Sequence, residues 1–565
     1  MSLLKKIEIF FISLAYFFYK ELDQFKNDLI NIIKLHFFVS SKKNANFKRF
    51  INSNTRVFKN FNNNAKKKNY ILVDAIMGHP GYICTQLIIS KFLQKIIGGE
   101  LIVLNRKNNA LIRSVSNSYN IKNFLQFKKD FFIIRLLNFI KVSFSLINIG
   151  NLDKINKIKF NNIKIGEITY DHYVRYTGDV FIKKINFKYI YFFFEATEYN
   201  KSINNILKKD NYKALVLSET QFIPSAIVFQ NALVKKIKVY ARYGGPKKIG
   251  IRIYNNINQI YFWKQKFEIK DFNTLKENFK NKSAKDGHQI INNRINRIGD
   301  DQDLNDTKAA FKKGIQFTKK DLCKKYNWDL KKPIVGIFDH SYTDGLFISG
   351  RSIFKTNYEW IKHTFNQIKK VKDVNWLIKP HPIKLSETHK PITSTEIEFD
   401  KIIGNNFDNI KLFSSNLSYS DLFDILSVII TGNGTVGIEF ATFGVPCIIA
   451  NNSHYDHLGF TNKPKSKVEY NHLLKNIKNI KNLTNEQKIN SRIYTSLELN
   501  LSLHDLSLLP KFQTNSEIYY NKNYINFWKN LNKKLKYFNI NNDEFYKGLK
   551  NQIKNNKTHT LKKKY

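Results

Sequence analysis

Residues 70–105 read YILVDAIMGHPGYICTQLIISKFLQKIIGGELIVLN, and this stretch decides the fold class. An apolar run, Ile71 to Met77, interrupted only by Asp74, ends in a Gly/Pro loop from Gly78 to Gly81. An apolar helical segment follows and stops at Gly98-Gly99, after which Leu101 to Leu104 form a second run. Strands that alternate apolar and polar residues bury one face, whereas continuous apolar strands bury both, as in a parallel sheet covered by helices. The stretch is therefore a βαβ unit.

The same alternation recurs downstream. KALVLSET (213–220) is a strand with a polar end, PSAIVFQNALVKK (224–236) a helix, and KIKVYARYGG (236–245) a strand ending in glycines. A second series starts with the strand PIVGIF (333–338) and the polar loop DHSYTDGLFISGR (339–351). A helix with Ile361, Phe365 and Ile368 at core spacing comes next, then VNWLIKPHP (374–382), a strand running into a basic loop. The short helix SDLFDILS, the strand SVIITGNG (427–434), the helix TVGIEFATFG and the strand VPCIIANN complete it. The fold class expected from the pattern is α/β: two Rossmann-like doubly wound domains, with helical N- and C-terminal extensions. The expected divisions are a helical, basic extension (1–68), a first Rossmann-like domain (69–262), a charged helical linker (263–320), a second Rossmann-like domain (321–510) and a basic helical tail (511–565). Residues 40–68 are polar and weakly periodic, and read as an irregular lead-in.

Composition narrows the function. The 565 residues carry 93 Lys+Arg against 45 Asp+Glu, a formal net charge of +48. Hydrophobic residues are 42% of the chain, which excludes global disorder. The surplus Lys is spread along the whole chain, among abundant Asn, Ile, Phe and Tyr, and reads mostly as a solvated surface. No zinc-finger, RNP or zipper pattern accompanies it, so nucleic acid is not an expected partner. Three distant cysteines, Cys84, Cys323 and Cys447, argue against a disulfide scaffold or a Cys-rich zinc site. The N-terminal apolar run, Ile7 to Tyr19, contains Glu8 and is too short to span a bilayer, which takes about 20 apolar residues. An interfacial helix and a helix docked on the protein body are the two readings of it, and no later segment reads as transmembrane.

Doubly wound sheets bind ligands just past the carboxyl ends of their strands. The polar residues there are the candidates. Thr431-Gly432-Asn433-Gly434-Thr435 delivers a strand into a helix, whose unpaired first-turn N–H groups suit a phosphate. Gly432 and Gly434 let the backbone approach closely, Thr435 can cap the helix or donate to a phosphate oxygen, and Glu439, one turn on, can accept from ribose hydroxyls; a plain helix start whose turn needs the glycines is the alternative. No Gly-Lys-Ser/Thr follows, so this is not a P-loop. Lys379-Pro380-His381-Pro382 places a cation and an imidazole on a stiff loop suited to a diphosphate. Arg351 can pair a phosphate in a bidentate way. His340 and Asp344 are four apart with no third ligand at metal spacing, so no metal is expected. In the first domain His79, Asp171 and Glu219 are the candidate general bases, and Asp171 with Arg175 is equally a helical ion pair.

The segments IVGIFDHSYTDG (334–345), NYEWIKHTF (357–365), NWLIKPHP (375–382) and GNGTVGIEFATFGVPCIIANNSHYDHLGFTNKP (432–464) resemble the bacterial capsule and surface-polysaccharide biosynthesis glycosyltransferases. The likeness covers about 333–470 and is weaker at 165–175 and 217–245. The K-P-H-P element is similar to the His-Pro motif of sialyl- and Kdo-transferase-like enzymes and of teichoic-acid polymerases. The resemblance implies that His381 contacts the donor's nucleotide phosphate with Lys379 beside it, that Gly434 and Thr435 hold phosphate, and that Glu439 holds the ribose. It also implies a GT-B-like fold, its two Rossmann-like domains facing a cleft, and that 455–460 lies near the donor sugar. The acidic pair plus glycine that supplies the base in some relatives does not align in the first domain.

The expectation is thus a metal-independent glycosyltransferase, with a nucleotide-sugar donor as substrate and no cofactor. The expected catalytic residues are Asp171, His79 and His381, and the donor-binding residues Arg351, Lys379, His381, Gly434, Thr435 and Glu439. The acceptor is a glycan or lipid-linked glycan of the capsular or lipopolysaccharide type. The expected location is cytoplasmic, with peripheral contact at the inner face of the membrane. A nucleotide-sugar epimerase of the same architecture and a non-catalytic polysaccharide assembly protein are the alternatives.

Overall fold

The computed structural model describes residues 2–40, 44–59, 69–107, 109–209, 211–245, 248–261, 266–298, 311, 314–348, 352–381, 391–510, 512 and 522–562. The chain forms two units, one of Met1–Tyr173, Ile182–Ile260 and Ser502–Lys563, the other chiefly of Val174–Phe181 and Tyr261–Leu501. Both are Rossmann-like α/β units.

In the first unit the strands are β1 (Tyr70–Asp74), β2 (Glu100–Asn105), β3 (Asn123–Gln126), β4 (Tyr212–Leu217), β5 (Lys238–Gly244) and β6 (Lys248–Tyr254). The spatial order 5-4-1-2-3 is all parallel, with β6 added antiparallel at one edge. Leu72 and Val73 of β1 are fully buried, as the continuous apolar run requires. The helix Pro80–Ile97 returns the chain to β2 through Gly98 and Gly99, at φ 72° and 105°. A Cβ at Gly99 would lie 2.9 Å from the Asn69 carbonyl, so the turn needs glycine twice over.

In the second unit, strands β7 (Ile334–Phe338), β8 (Asn375–Lys379), β9 (Ile410–Leu412), β10 (Leu426–Thr431), β11 (Cys447–Ile449) and β12 (Thr461–Asn462) are all parallel. Their order, 12-11-10-7-8-9, is the doubly wound pattern that reverses direction between β7 and β10. Trp360 and Trp376 are fully buried against this sheet.

The linker and the tail fall differently from the expected divisions, and the 40–68 lead-in is partly helical. The 40–68 lead-in contains the helix Ala45–Lys59, with Phe47, Phe50, Asn54 and Phe58 buried. Those positions share one helical face, which the abundance of Asn and Lys between them obscured. The helices of the expected linker, Ile269–Asn278 and Lys280–Ile295, belong to the second unit, where a Cβ on Gly287 would sit 1.8 Å from the Arg492 carbonyl oxygen. Only a residue without a side chain permits that crossing.

The expected tail returns to the first unit. Its strand β13 (His504–Asp505) pairs with β6, and the helices Lys522–Leu535 and Glu544–Lys554 close the core. Trp528, Leu531, Phe545 and Leu549 share that core with Phe50, Ile88 and Phe92. Each aromatic there removes roughly 150–250 Å² from water, so the tail is part of the domain rather than an appendage.

The N-terminal helix is also longer than the apolar run suggested, Leu3–Ser40, and docks on the first unit through Ser13 and Phe17. The helix Phe132–Ile149 is long and apolar enough to cross a membrane by length and composition, which the sequence reading passed over.

Candidate functional site: the strand ends of the second unit

Three loops meet at the carboxyl ends of β7, β8 and β10, on either side of the order reversal. The β10 turn enters the helix Val436–Phe443. The Gly437, Ile438 and Glu439 N–H groups bond back to Gly434 and Thr435. Those of Gly434, Thr435 and Val436 take no acceptor among the described residues and carry the positive end of the helix dipole. Thr435 does not cap the helix; it is exposed, and its Oγ1 lies 3.5 Å from Glu439 Oε1.

The turn is braced from two sides. The Tyr455 hydroxyl donates to the Gly434 carbonyl, and the Asn451 N–H to the Gly432 carbonyl at 2.7 Å. A Cβ on Gly437 would come within 2.4 Å of the Tyr455 oxygen, so glycine is what lets Tyr455 reach under the helix start.

The β7 loop brings His340 against the same turn: a Cβ at Gly434 would lie 3.8 Å from His340 Cδ2. Asn451 Nδ2 donates to Asn357 Oδ1 at 3.1 Å, and Asn357 Nδ2 donates to the Ser341 carbonyl at 3.0 Å and lies 3.0 Å from His340 Nδ1. The same Nδ1 lies 3.4 Å from the Ser341 carbonyl, so the ring tautomer sets which of the two contacts is a hydrogen bond. Burial pushes the His340 pKa down. One residue earlier, Asp339 accepts from the Tyr342 hydroxyl at 2.5 Å, the Thr395 hydroxyl and the His340 N–H at 2.8 Å. Burial nevertheless pushes its carboxyl up to about 7.

The β8 end supplies Lys379 and His381. The His340 and His381 rings are 5.8 Å apart between centroids. Burial, then His340 and Lys379, push His381 down to about 3, so it is neutral at physiological pH. Burial lowers Lys379 to about 8, opposed by Glu439. The Lys379 ammonium lies 5.0 Å from the Tyr419 ring centre. Glu439 itself is buried, with Tyr419 OH 3.4 Å from Oε2 and Arg294 Nη2 3.9 Å from Oε1. The site thus holds one softened cation, the buried carboxyls of Glu439 and Asp339, and two neutral imidazoles around a ring of N–H donors.

Among the described residues, nothing donates to Asn433 Oδ1 or Asn451 Oδ1, and Thr431 Oγ1 has no hydrogen-bond partner. These are oxygens that hydroxyl groups satisfy well. Beyond β11 and β12 a cavity of about 600 Å³ is lined by Ser352, Asn452, Asp456, Lys463 and Lys465 among others. That volume is within the range of small-molecule sites. Burial would raise Asp456, but hydrogen bonds from Lys266 and Lys463 hold its carboxyl below the usual range. Of the 455–460 stretch, Asp456 lines this cavity, while Tyr455 is buried under the turn.

Lys379, His381, Gly434, Thr435 and Glu439 are therefore brought together, and Arg351 lies outside the described residues. Arg294, Asn357, Tyr419 and Asn451 were not singled out in the sequence. Asn357 and Asn451 follow no motif, and Arg294 comes from the supposed linker.

In the first unit the corresponding reversal is between β1 and β4. Asp74 spans it, Oδ1 accepting from the Ile76 N–H at 2.8 Å and Oδ2 from the Ser218 hydroxyl at 2.5 Å and N–H at 3.1 Å. His79 caps the helix Pro80–Ile97, its Nδ1 accepting from the Gly81 N–H at 3.2 Å. The neutral ring then carries its proton on Nε2, which suits a donor better than a base. Glu219 Oε1 accepts from the Thr220 and Gln221 N–H groups at 2.6 and 2.8 Å. Asp171 is buried on the helix Ile165–Thr177, near enough to Tyr189 to add to the burial that raises that phenol. Arg175 reaches Asp344 at 3.4 Å, within the second unit. Among the described residues no three His, Cys, Asp or Glu side chains gather as a metal set.

No protein-family model matches the sequence, and no curated protein matches it. Among solved structures the chain is similar to KpsC of Thermosulfurimonas dismutans, a beta Kdo 2,4 transferase (11% identity, 53% of this chain, 82% of that one, TM-score 0.33). It is also similar to the UDP-GlcNAc 2-epimerases of Neisseria meningitidis bound to UDP-GlcNAc (12%, 76% and 97%, TM-score 0.23) and of Methanocaldococcus jannaschii in complex with UDP-GlcNAc and UDP (15%, 76% and 98%, TM-score 0.25). These superpositions are too loose to carry a residue's role from those proteins to this chain.

Proposed function

We propose that the chain is a glycosyltransferase that moves a sugar from a nucleotide-activated donor to a surface glycan. The observation that carries this reading is the meeting of open N–H groups, Lys379 and His381 where the sheet order reverses between β7 and β10. Phosphate oxygens fit the N–H groups of Gly434, Thr435 and Val436, with Lys379 as counter-charge. The cavity beside Asn452 and Asp456 has room for the rest of the donor. In the transfer step the bond between the anomeric carbon and the phosphate oxygen breaks, its electron pair leaving with the nucleotide. The acceptor oxygen bonds to that carbon and gives up its proton. His381 donates a hydrogen bond to the departing phosphate, and fixed dipoles stabilise its charge without reorganising. Asp171 is the candidate to take the acceptor's proton.

The test is to incubate the purified protein with a panel of nucleotide sugars, with and without glycan acceptors. Nucleotide release that requires acceptor supports transfer. Epimerisation of the sugar without acceptor, or binding without turnover, overturns it in favour of an epimerase or a non-catalytic polysaccharide-binding protein.

A further inference from the structure

On the outer side of the helix Leu3–Ser40, six large apolar side chains stand in water: Leu4, Phe11, Phe18, Leu22, Phe25 and Leu29. At 100° per residue they fall within an arc of about 60°. Leu4 is 81% exposed, and Leu22 and Phe25 are each 70% exposed. The helix Phe132–Ile149 lies alongside and antiparallel, with Phe10 stacked on Phe144 at 4.5 Å and Phe17 on Phe139 at 4.7 Å. It adds Ile133, Ile134 and Leu137 to the exposed apolar surface, and Phe131, just before it, is 84% exposed.

The two helices are fixed rather than dangling. Arg135, buried beneath them, binds Glu21 of the first helix through two N–H groups at 2.7 and 3.0 Å. It also meets Glu195 at 3.3 Å and Glu198 at 3.5 Å on the helix Phe187–Lys209. A guanidinium held by three carboxylates clips three helices into one body.

A monomeric soluble protein rarely leaves so continuous an apolar stripe in water. The charge around it selects the occupant. Lys5, Lys26 and Lys34 on the first helix, Lys128 before the second and Lys141 on it are all exposed. The chain as a whole carries +48. Apolar anchors fringed by lysines fit a bilayer with anionic headgroups and disfavour pairing with a second equally basic copy.

We infer that this two-helix face of the first unit docks on an anionic phospholipid membrane, lying in the interface rather than crossing it. Crossing is disfavoured because Ser13, Phe17 and Arg135 commit the inner sides of both helices to the protein. The first helix, 38 residues long, also measures roughly 57 Å, against about 30 Å for a hydrocarbon core. The face is built wholly from the first unit and stands whether or not the sugar chemistry proposed for the second unit is right.

The test is co-sedimentation of the full chain with phosphatidylcholine vesicles, alone or with roughly 30% phosphatidylglycerol. Binding to the anionic vesicles at least tenfold above the neutral ones, weakened by salt, is expected. The variant Phe11→Glu/Leu22→Glu/Phe25→Glu should partition at least a hundredfold less, with an unchanged melting temperature because all three side chains are exposed. Val468→Glu, at an 80% exposed site of the second unit, should bind like the wild type. Wild-type protein that stays in solution with both vesicles overturns the inference, as does a triple variant that binds undiminished. A vesicle-free dimer that the triple variant splits also overturns it, since the face would then be covered by a second copy.

Discussion

The two sheets reverse their strand order in the same way, yet the chemistry at the two reversals is opposite. Between β1 and β4 the polar groups described are engaged in holding backbone. Asp74 ties Ile76 to Ser218, His79 caps a helix, and Glu219 grips its own loop. Between β7 and β10 a braced turn leaves the N–H groups of Gly434, Thr435 and Val436 without an acceptor, and the buried Asn433 and Asn451 oxygens without a donor, among the described residues. A sheet topology therefore provides a place for a ligand but does not oblige each copy of it to bind one. What decides is whether the side chains at the strand ends are consumed by the fold.

The largest effect expected follows directly. His381→Ala should lower sugar transfer by at least a hundredfold, the usual scale for losing one donor to a developing anion. His79→Ala should instead lower the melting temperature and leave nucleotide binding alone. Initial rates at saturating donor, with melting curves for both variants, make the comparison. Equal catalytic losses at both histidines would erase the contrast between the two reversals.

Next comes the stability of the first unit. Asp74→Ala strands the Ser218 hydroxyl and two N–H groups in a buried setting, and should cost about 2–3 kcal/mol. Denaturant unfolding measures the loss. Nucleotide affinity, measured by calorimetry in native buffer, should not move. A collapse of affinity would show that the strand ends of the first unit take part in binding.

Much of this division was legible in the sequence because parallel strands are buried on both faces and write continuous apolar runs. YILVD, IVGIF and SVIIT therefore announced β1, β7 and β10, and the glycine turn and K-P-H-P loop marked the strand ends that matter. What was not legible depends on distant partners. Phe47, Phe50 and Phe58 read as isolated aromatics in a basic segment, and the surface they pack on comes from Trp528 for the first two and from Tyr119 and Phe538 for the third. Arg294 lies 145 positions from Glu439, and Asn451 finds Asn357 across 94. No local period encodes such pairs. His79 reads two ways in the sequence because Gly-His-Pro at a strand tip is as good a helix cap as it is a catalytic group.

A smaller effect tests the brace beneath the turn. Gly437→Ala drives a methyl group to 2.4 Å from the Tyr455 hydroxyl and should cost about 1–3 kcal/mol. Tyr455→Phe removes the hydroxyl at about 1 kcal/mol, the value of its bond to the Gly434 carbonyl. The double variant should be more stable than the sum of the two losses predicts, because the collision disappears with the oxygen. Strict additivity in urea unfolding would mean that Tyr455 does not support the turn.

The subtlest expectation concerns pH. Burial lowers Lys379 to about 8 in the free protein, and a bound phosphate must raise it again by favouring the ammonium. Below pH 8 both free and bound forms are protonated, and affinity for a nucleoside diphosphate is level with respect to this group. Above pH 8 the free protein releases the proton and the complex keeps it. Affinity then falls by about tenfold per pH unit until the raised value in the complex is passed. Lys379→Met should bind more weakly and lose this decline. His381, already neutral above about 3, contributes no slope of its own between pH 7 and 9 unless the anion raises it into that range. A wild-type affinity that stays constant from pH 7 to 9 would place the phosphate away from Lys379, and with it the reason for expecting the second reversal, rather than the first, to hold the charge.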